Sequence, residues 1–165
     1  LITDVGICGE AGGKALLLLA YLAQAKIELR HQNKISIDVV GEITMGLEGV
    51  RVLVVEDEVL VAMSVEDMLA DLGCAVAGSA CSLTEALVKV QAGGFDLALL
   101  DVNLRGEKVF PVADALSNQG IPFAFASGYG AADVPEPFRS RPVVSKPFLI
   151  EELSAALSSA LARPA

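Results

Sequence analysis

Four short apolar runs in this chain each stop at residues able to do chemistry. Val52-Leu53-Val54-Val55 ends at Glu56-Asp57, and Phe95 to Leu100 ends at Asp101. Ile121 to Ala126 ends at Ser127, and Pro142-Val143-Val144 leads into Ser145-Lys146-Pro147. Brought together, these tips would place three carboxylates, a hydroxyl and an ammonium in one crevice. Carboxylates about 4 Å apart repel by roughly 4 kcal/mol per pair at an effective dielectric of 20. Such a group needs a bound cation or a shared proton. Oxygen donors with open positions favour a hard ion, and Mg²⁺ suits them.

The segments between these runs are those a layered fold would use. The spacing predicts a helix over Val59 to Leu72, with Leu60, Met63, Val65, Met68, Leu69 and Leu72 near helical period and Gly73 as terminator. A strand is expected over Cys74 to Ala80. Ser82 reads as an N-cap with Glu85 completing a capping box, for a helix to about Gln91. Further helices are expected over Glu107 to Ser117 and Leu149 to Ala162, the latter with Glu151 and Glu152 in its first turn, where the helix dipole favours them. Pro135 and Pro137 argue against a long helix between Tyr129 and Arg139. Five alternations of strand and helix imply an α/β fold, a doubly wound five-stranded parallel sheet covered on both faces. Ligands bind such sheets at the carboxyl ends of their strands.

The order Glu56-Asp57, Asp101, Ser127, Lys146-Pro147 resembles the receiver domain of bacterial response regulators over about residues 50–162. Phe125-Ala126-Ser127-Gly128-Tyr129-Gly130 resembles, more narrowly, the FAT GUY receivers of alphaproteobacteria, with Ser127 at their Thr position. The resemblance implies a flavodoxin-like (CheY-like) three-layer α/β/α fold and a place in two-component signal transduction. It implies that Asp101 accepts a phosphoryl group from a histidine kinase or phosphotransfer protein. It assigns Mg²⁺ to Glu56, Asp57, Asp101 and the backbone carbonyl of Asn103. Lys146 would pair with the phosphoryl oxygens, Ser127 would donate to one of them, and a cis bond would precede Pro147. Receivers commonly carry an aromatic switch residue three positions before the lysine. Here that position is Val143, leaving Tyr129 and Phe148 as the nearby aromatics.

Composition narrows the alternatives. The 165-residue chain has 21 acidic and 12 basic side chains, a net charge of −9. With no basic cluster, nucleic acid and anionic membrane surfaces are not expected partners. Three cysteines without CxxC spacing and a single histidine fit neither a disulfide framework nor a zinc site. The longest apolar stretch, Ala15 to Ala23, is nine residues, against roughly 20 for a membrane span. A cytoplasmic protein is the expectation. Gly9 to Lys14 lacks the first glycine of a phosphate-binding loop, where Cys8 stands, and Ala15 replaces its Ser or Thr. Glu28-Leu29-Arg30-His31 reads as the polar end of a helix.

Residues 1–49 are taken as an N-terminal extension of uncertain origin, with a helix expected from Lys14 to Arg30 and a short strand from Ile35 to Val40. Residues 50–165 are the expected receiver domain. About three residues follow its last helix, so the reading expects a stand-alone regulator acting through an unidentified downstream protein, not an enzyme with external turnover. A homodimer stays open. The competing readings are the terminal receiver of a hybrid histidine kinase, a receiver used only for binding, and a Mg²⁺-dependent phosphatase. The last is disfavoured because Asp101-Val102-Asn103 has Asn at the third position.

Overall fold

The computed structural model of the chain describes residues 36–37, 43–44 and 46–163. The expected helix over 14–30 lies outside them. Of the strand expected over 35–40, Ser36–Ile37 is described, pairing antiparallel with Ile43–Thr44.

From residue 51 the chain alternates as its pattern predicts. The elements are β1 (Arg51–Val55), α1 (Val59–Asp71), β2 (Ala75–Ala80), α2 (Leu83–Ala92) and β3 (Leu97–Asp101). They continue with α3 (Phe110–Asn118), β4 (Phe123–Ser127), β5 (Val143–Ser145) and α4 (Ile150–Leu161). The five strands form one parallel sheet in the order β2-β1-β3-β4-β5. The doubly wound, flavodoxin-like three-layer fold is therefore present.

Strand alternation divides the core in two, because successive side chains point to opposite faces. Val52, Val54, Leu97, Leu99, Ala124 and Ala126 pack with Val65 and Leu69 of α1 and Leu153, Ala156 and Leu157 of α4. Leu53, Val55, Ala98, Leu100, Phe123 and Phe125 pack with Ala86 and Val90 of α2 and Val112, Ala113 and Leu116 of α3. In β4 the alternation is extreme: alanines face α4, allowing close approach, and phenylalanines face the other layer.

One segment departs from expectation, and another follows it: Pro135 and Pro137 do exclude a long helix between β4 and β5. The chain after β3 is not yet helix at Glu107. Asn103–Leu104 instead pairs antiparallel with Glu107–Lys108, and α3 starts at Phe110. Arg105 (φ 51°) and Gly106 (φ 90°) form the two-residue turn, the left-handed pair that such tight ribbons need. Between β4 and β5 only two single-turn 3-10 segments occur, Gly130–Asp133 and Glu136–Phe138. Beside these turns lies a cluster of aromatic rings. Phe110, Phe123, Phe125 and Phe138 pack with centroids 5.4 to 6.2 Å apart, mostly edge to face.

Helix α1 also corrects a packing expectation. Only Val65 and Leu69 are buried along it, while Leu60 is 80% and Met63 is 56% exposed. At about 100° per residue, both lie roughly 140–160° around the helix from Val65. They face solvent although their spacing looked periodic. The Ser82 cap is present through Glu85 N–H donating to Ser82 Oγ, 3.3 Å. The Glu85 carboxylate reaches one residue further than a capping box requires and accepts from Cys81 N–H, 3.0 Å.

Candidate functional site

Sheet register brings the strand tips together. Val55 pairs with Leu100, Asp101 with Ala126, and Ser127 with Ser145. Glu56, Asp101, Ser127 and Lys146 therefore leave four adjacent strands at nearly one level. Asp101 and Ser127 are the last residues of their strands, which fixes their backbones by ladder hydrogen bonds.

The carboxylates converge as their spacing suggested. Glu56, Asp57 and Asp101 each offer an oxygen, all within 4.8 Å of one another. Glu56 and Asp101 are nearly buried, at 6% and 7% exposure. Lys146 neutralises part of this charge: its Nζ lies 2.5 Å from Glu56 Oε2 and 2.9 Å from Asp101 Oδ2. Burial pushes the Glu56 carboxyl above its usual range, against the downward pull of Lys146. Burial alone would lower Lys146, but its hydrogen bonds and charge pairing with Glu56 and Asp101 outweigh this and raise it. The lysine is a fixed ammonium. Charge is still unbalanced, and hard oxygen donors at this spacing fit a small divalent cation.

The two-residue turn after β3 lies against the cluster. Arg105 N–H donates to Asp57 Oδ2 at 3.2 Å, and the Arg105 guanidinium reaches within 4.0 Å of the same oxygen. Asn103 N–H donates to Asp101 Oδ1, 3.2 Å, and the Asn103 side chain accepts from Gly106 N–H, 3.0 Å. A crevice of about 160 Å³ opens over Asp101, bounded by Asn103, Ser127, Tyr129, Asp133 and Lys146. At its far wall Ser127 Oγ donates to Asp133 Oδ2, 3.4 Å, and accepts from Tyr129 N–H, 3.1 Å. Lys108 Nζ lies 3.6 Å from the same Asp133 oxygen.

Arg105, Lys108 and Asp133 were not singled out from the sequence. Gly106 carried a weak signal, since glycine adopts the positive φ of a tight turn without steric cost. Asp133 carried none, because its partners come from two other segments. Of the aromatics considered, Tyr129 is 83% exposed and Phe148 packs against the α1–α4 core. Val143 packs against the phenylalanine cluster. The Lys146-Pro147 bond is cis. A second, apolar groove of about 510 Å³ runs beside α1 from Leu60 and Met68 to Phe148 and adjoins Lys146. No helix among the described residues is long and apolar enough to cross a membrane.

Comparison with known proteins agrees with this geometry. The model of the response regulator receiver domain family matches residues 52–158. SdrG from Sphingomonas melonis is 46% identical, with 68% of this chain and 97% of that one covered and a TM-score of 0.62. The receiver domain of PhyR from Erythrobacter litoralis is 31% identical over 71% of this chain and 93% of that one, TM-score 0.60. Transcriptional regulatory protein PdtaR of Mycobacterium tuberculosis is 28% identical over 117 residues, and the match spans 57% of its length. Expected from the order of its strand-end residues and matched over most of its regular part, the chain belongs to the response regulator receiver domain family.

Proposed function

We propose that this protein is a stand-alone, phosphoryl-accepting response regulator in which Asp101 is the acceptor. The observation that carries the reading is the placement of Asp101: nearly buried at the end of β3, paired to Lys146, and opening into a crevice shared with Ser127. An Asp101 carboxylate oxygen attacks the phosphorus of a phosphohistidine on a histidine kinase or phosphotransfer protein. The P–N bond breaks, the imidazole leaves with the electron pair, and an acyl phosphate forms on Asp101. Such transfer depends mainly on positioning and charge neutralisation. Lys146 supplies a fixed positive charge at the acceptor oxygen, and Ser127 supplies a donor for a phosphoryl oxygen.

Glu56, Asp57 and Asp101, with the backbone carbonyl of Asn103, would hold Mg²⁺. When bound, that ion offsets the negative charge of the phosphoryl oxygens and the carboxylates. The exposed apolar face of α1, with Leu60 and Met63, adjoins the site and suits docking of the donor protein. Output is through protein contacts, for which the net charge of −9 is better suited than for nucleic acid. The match over 97% of SdrG supports a receiver acting without an attached effector. That relative has been solved in a BeF3-activated conformation, which makes fluoroberyllate a natural probe here.

The test is phosphorylation by acetyl phosphate or phosphoramidate with Mg²⁺, followed by intact mass. One phosphoryl group should be added, and Asp101→Asn should abolish it. Labelling that persists unchanged in the variant removes Asp101 from its role.

A further inference from the structure

The Ser127 hydroxyl already has a partner for its one proton, and that partner is in its own following loop. Its oxygen accepts from Tyr129 N–H and its single proton goes to Asp133 Oδ2. A hydroxyl has one proton to donate. Any donation from Ser127 to an anion on Asp101 must therefore break the bond to Asp133. Asp133 is in turn anchored from a different segment, by Lys108 at the end of the ribbon that follows β3.

Asp133 also lines the crevice that opens over Asp101. An anion bound there competes with Asp133 for the Ser127 proton and repels its carboxylate. Both effects act in the same direction. The 3-10 turn carrying Asp133 begins at Gly130, with φ +66°. A side chain at Gly130 would approach Ser145 Oγ to 3.1 Å, so the turn is hemmed in on the β5 side. Its release is directed away from β5.

We propose that Asp133 is a positioning residue that holds the Ser127 proton in the resting protein, with Lys108 anchoring it. An anion at Asp101 takes the proton donor from Asp133 and frees the turn over Gly130–Asp133. This deepens the receiver reading and rests on it.

The test uses the full chain, Mg²⁺ and fluoroberyllate as the phosphoryl stand-in, with amide NMR of Gly128 to Val134 and a binding titration. Asp133→Asn keeps an oxygen acceptor but loses the charge; Asp133→Ala loses both. Each should bind fluoroberyllate tighter than the unaltered protein, by roughly 3-fold for Asn and up to about 10-fold for Ala. Lys108→Met, which leaves the carboxylate intact but unanchored, should shift the Gly130 to Asp133 amides of the free protein, and covers the case that an Asp133 variant folds poorly. With Ser127→Ala in the background, the gain from Asp133→Ala should shrink to the part due to charge repulsion alone, a reduction a merely structural role would not produce. Binding by the unaltered protein without a gain in the Asp133 variants, and with turn amides unmoved by Lys108→Met, overturns the latch alone. A gain that is unchanged without Ser127 also overturns it. If neither the unaltered protein nor the variants take fluoroberyllate, the phosphoryl-accepting reading falls, and the latch with it.

Discussion

Lys146→Met is the perturbation whose outcome follows most directly from the geometry. The lysine ammonium is shared by two carboxylates that are almost fully buried. Methionine keeps most of the stem volume and removes the charge. Glu56 and Asp101 then face each other, with Asp57, across no more than 4.8 Å between donor oxygens. At an effective dielectric of 20, one such pair repels by about 3.5 kcal/mol. Protonation limits the loss. The Glu56 carboxyl is already raised by burial and held down by Lys146, so without the lysine it rises further and takes up a proton. Breaking a buried ion pair by removing one partner typically costs about 3–5 kcal/mol, and the proton uptake puts this variant at the low end, about 3 kcal/mol. The sign of the pH dependence follows. A carboxyl whose folded value lies above its unfolded value stabilises the fold only below the unfolded value, and that contribution is lost as pH rises. The deficit of the variant should therefore be largest at neutral pH and shrink as pH falls toward the ordinary carboxyl value of 4.5. Urea melts in EDTA measure it directly. Saturating Mg²⁺ should then stabilise Lys146→Met more than the unaltered protein, because the cation replaces the missing charge. Equal stability of the two proteins in EDTA, within about 0.5 kcal/mol, would refute the electrostatic account. So would a larger Mg²⁺ stabilisation in the unaltered protein.

Other outcomes follow from single features. Phe138→Ala removes the ring that contacts Phe110, Phe123 and Phe125 and should destabilise by about 3–5 kcal/mol in denaturant melts; a loss under about 1 kcal/mol would mean the ring is not part of a tightly packed core. The Glu85 carboxyl is held below its ordinary 4.5, first by the Cys81 backbone N–H. Its contribution is therefore present above pH 4.5 and lost as pH falls through its lower folded value. The stability difference between the unaltered protein and Glu85→Gln should narrow over that range, and a difference that is flat with pH contradicts the assignment. Cys74 is half-buried, its thiol raised by burial and donating to the Leu47 carbonyl at 3.4 Å, whereas Cys81 is exposed. Peptide-mapped alkylation should modify Cys81 well before Cys74; the reverse order would mean the β2 edge opens readily.

The family and the strand-end chemistry were legible because both are local properties. An apolar run that stops at a charged residue marks where a buried strand leaves the sheet, and parallel strands all leave at the same edge. Glu56, Asp57, Asp101, Ser127 and Lys146 could therefore be placed at one edge from order alone, before any contact was known. The short ribbon at Asn103–Lys108 was hidden because two-residue strands have no period to read, and Glu107 looked like a helix start. The burial of α1 was misjudged because six apolar residues fit a helical period while the sheet covers only the side carrying Val65 and Leu69. What only the tertiary structure decided is how the site's polar groups are paired. Lys146 meets Glu56 across 90 residues of chain, and Asp133 meets Ser127 from the following turn and Lys108 from the ribbon after β3. Such pairings depend on loop paths over a finished sheet, where a few ångströms separate a solvated side chain from a partner, and no local pattern encodes that distance.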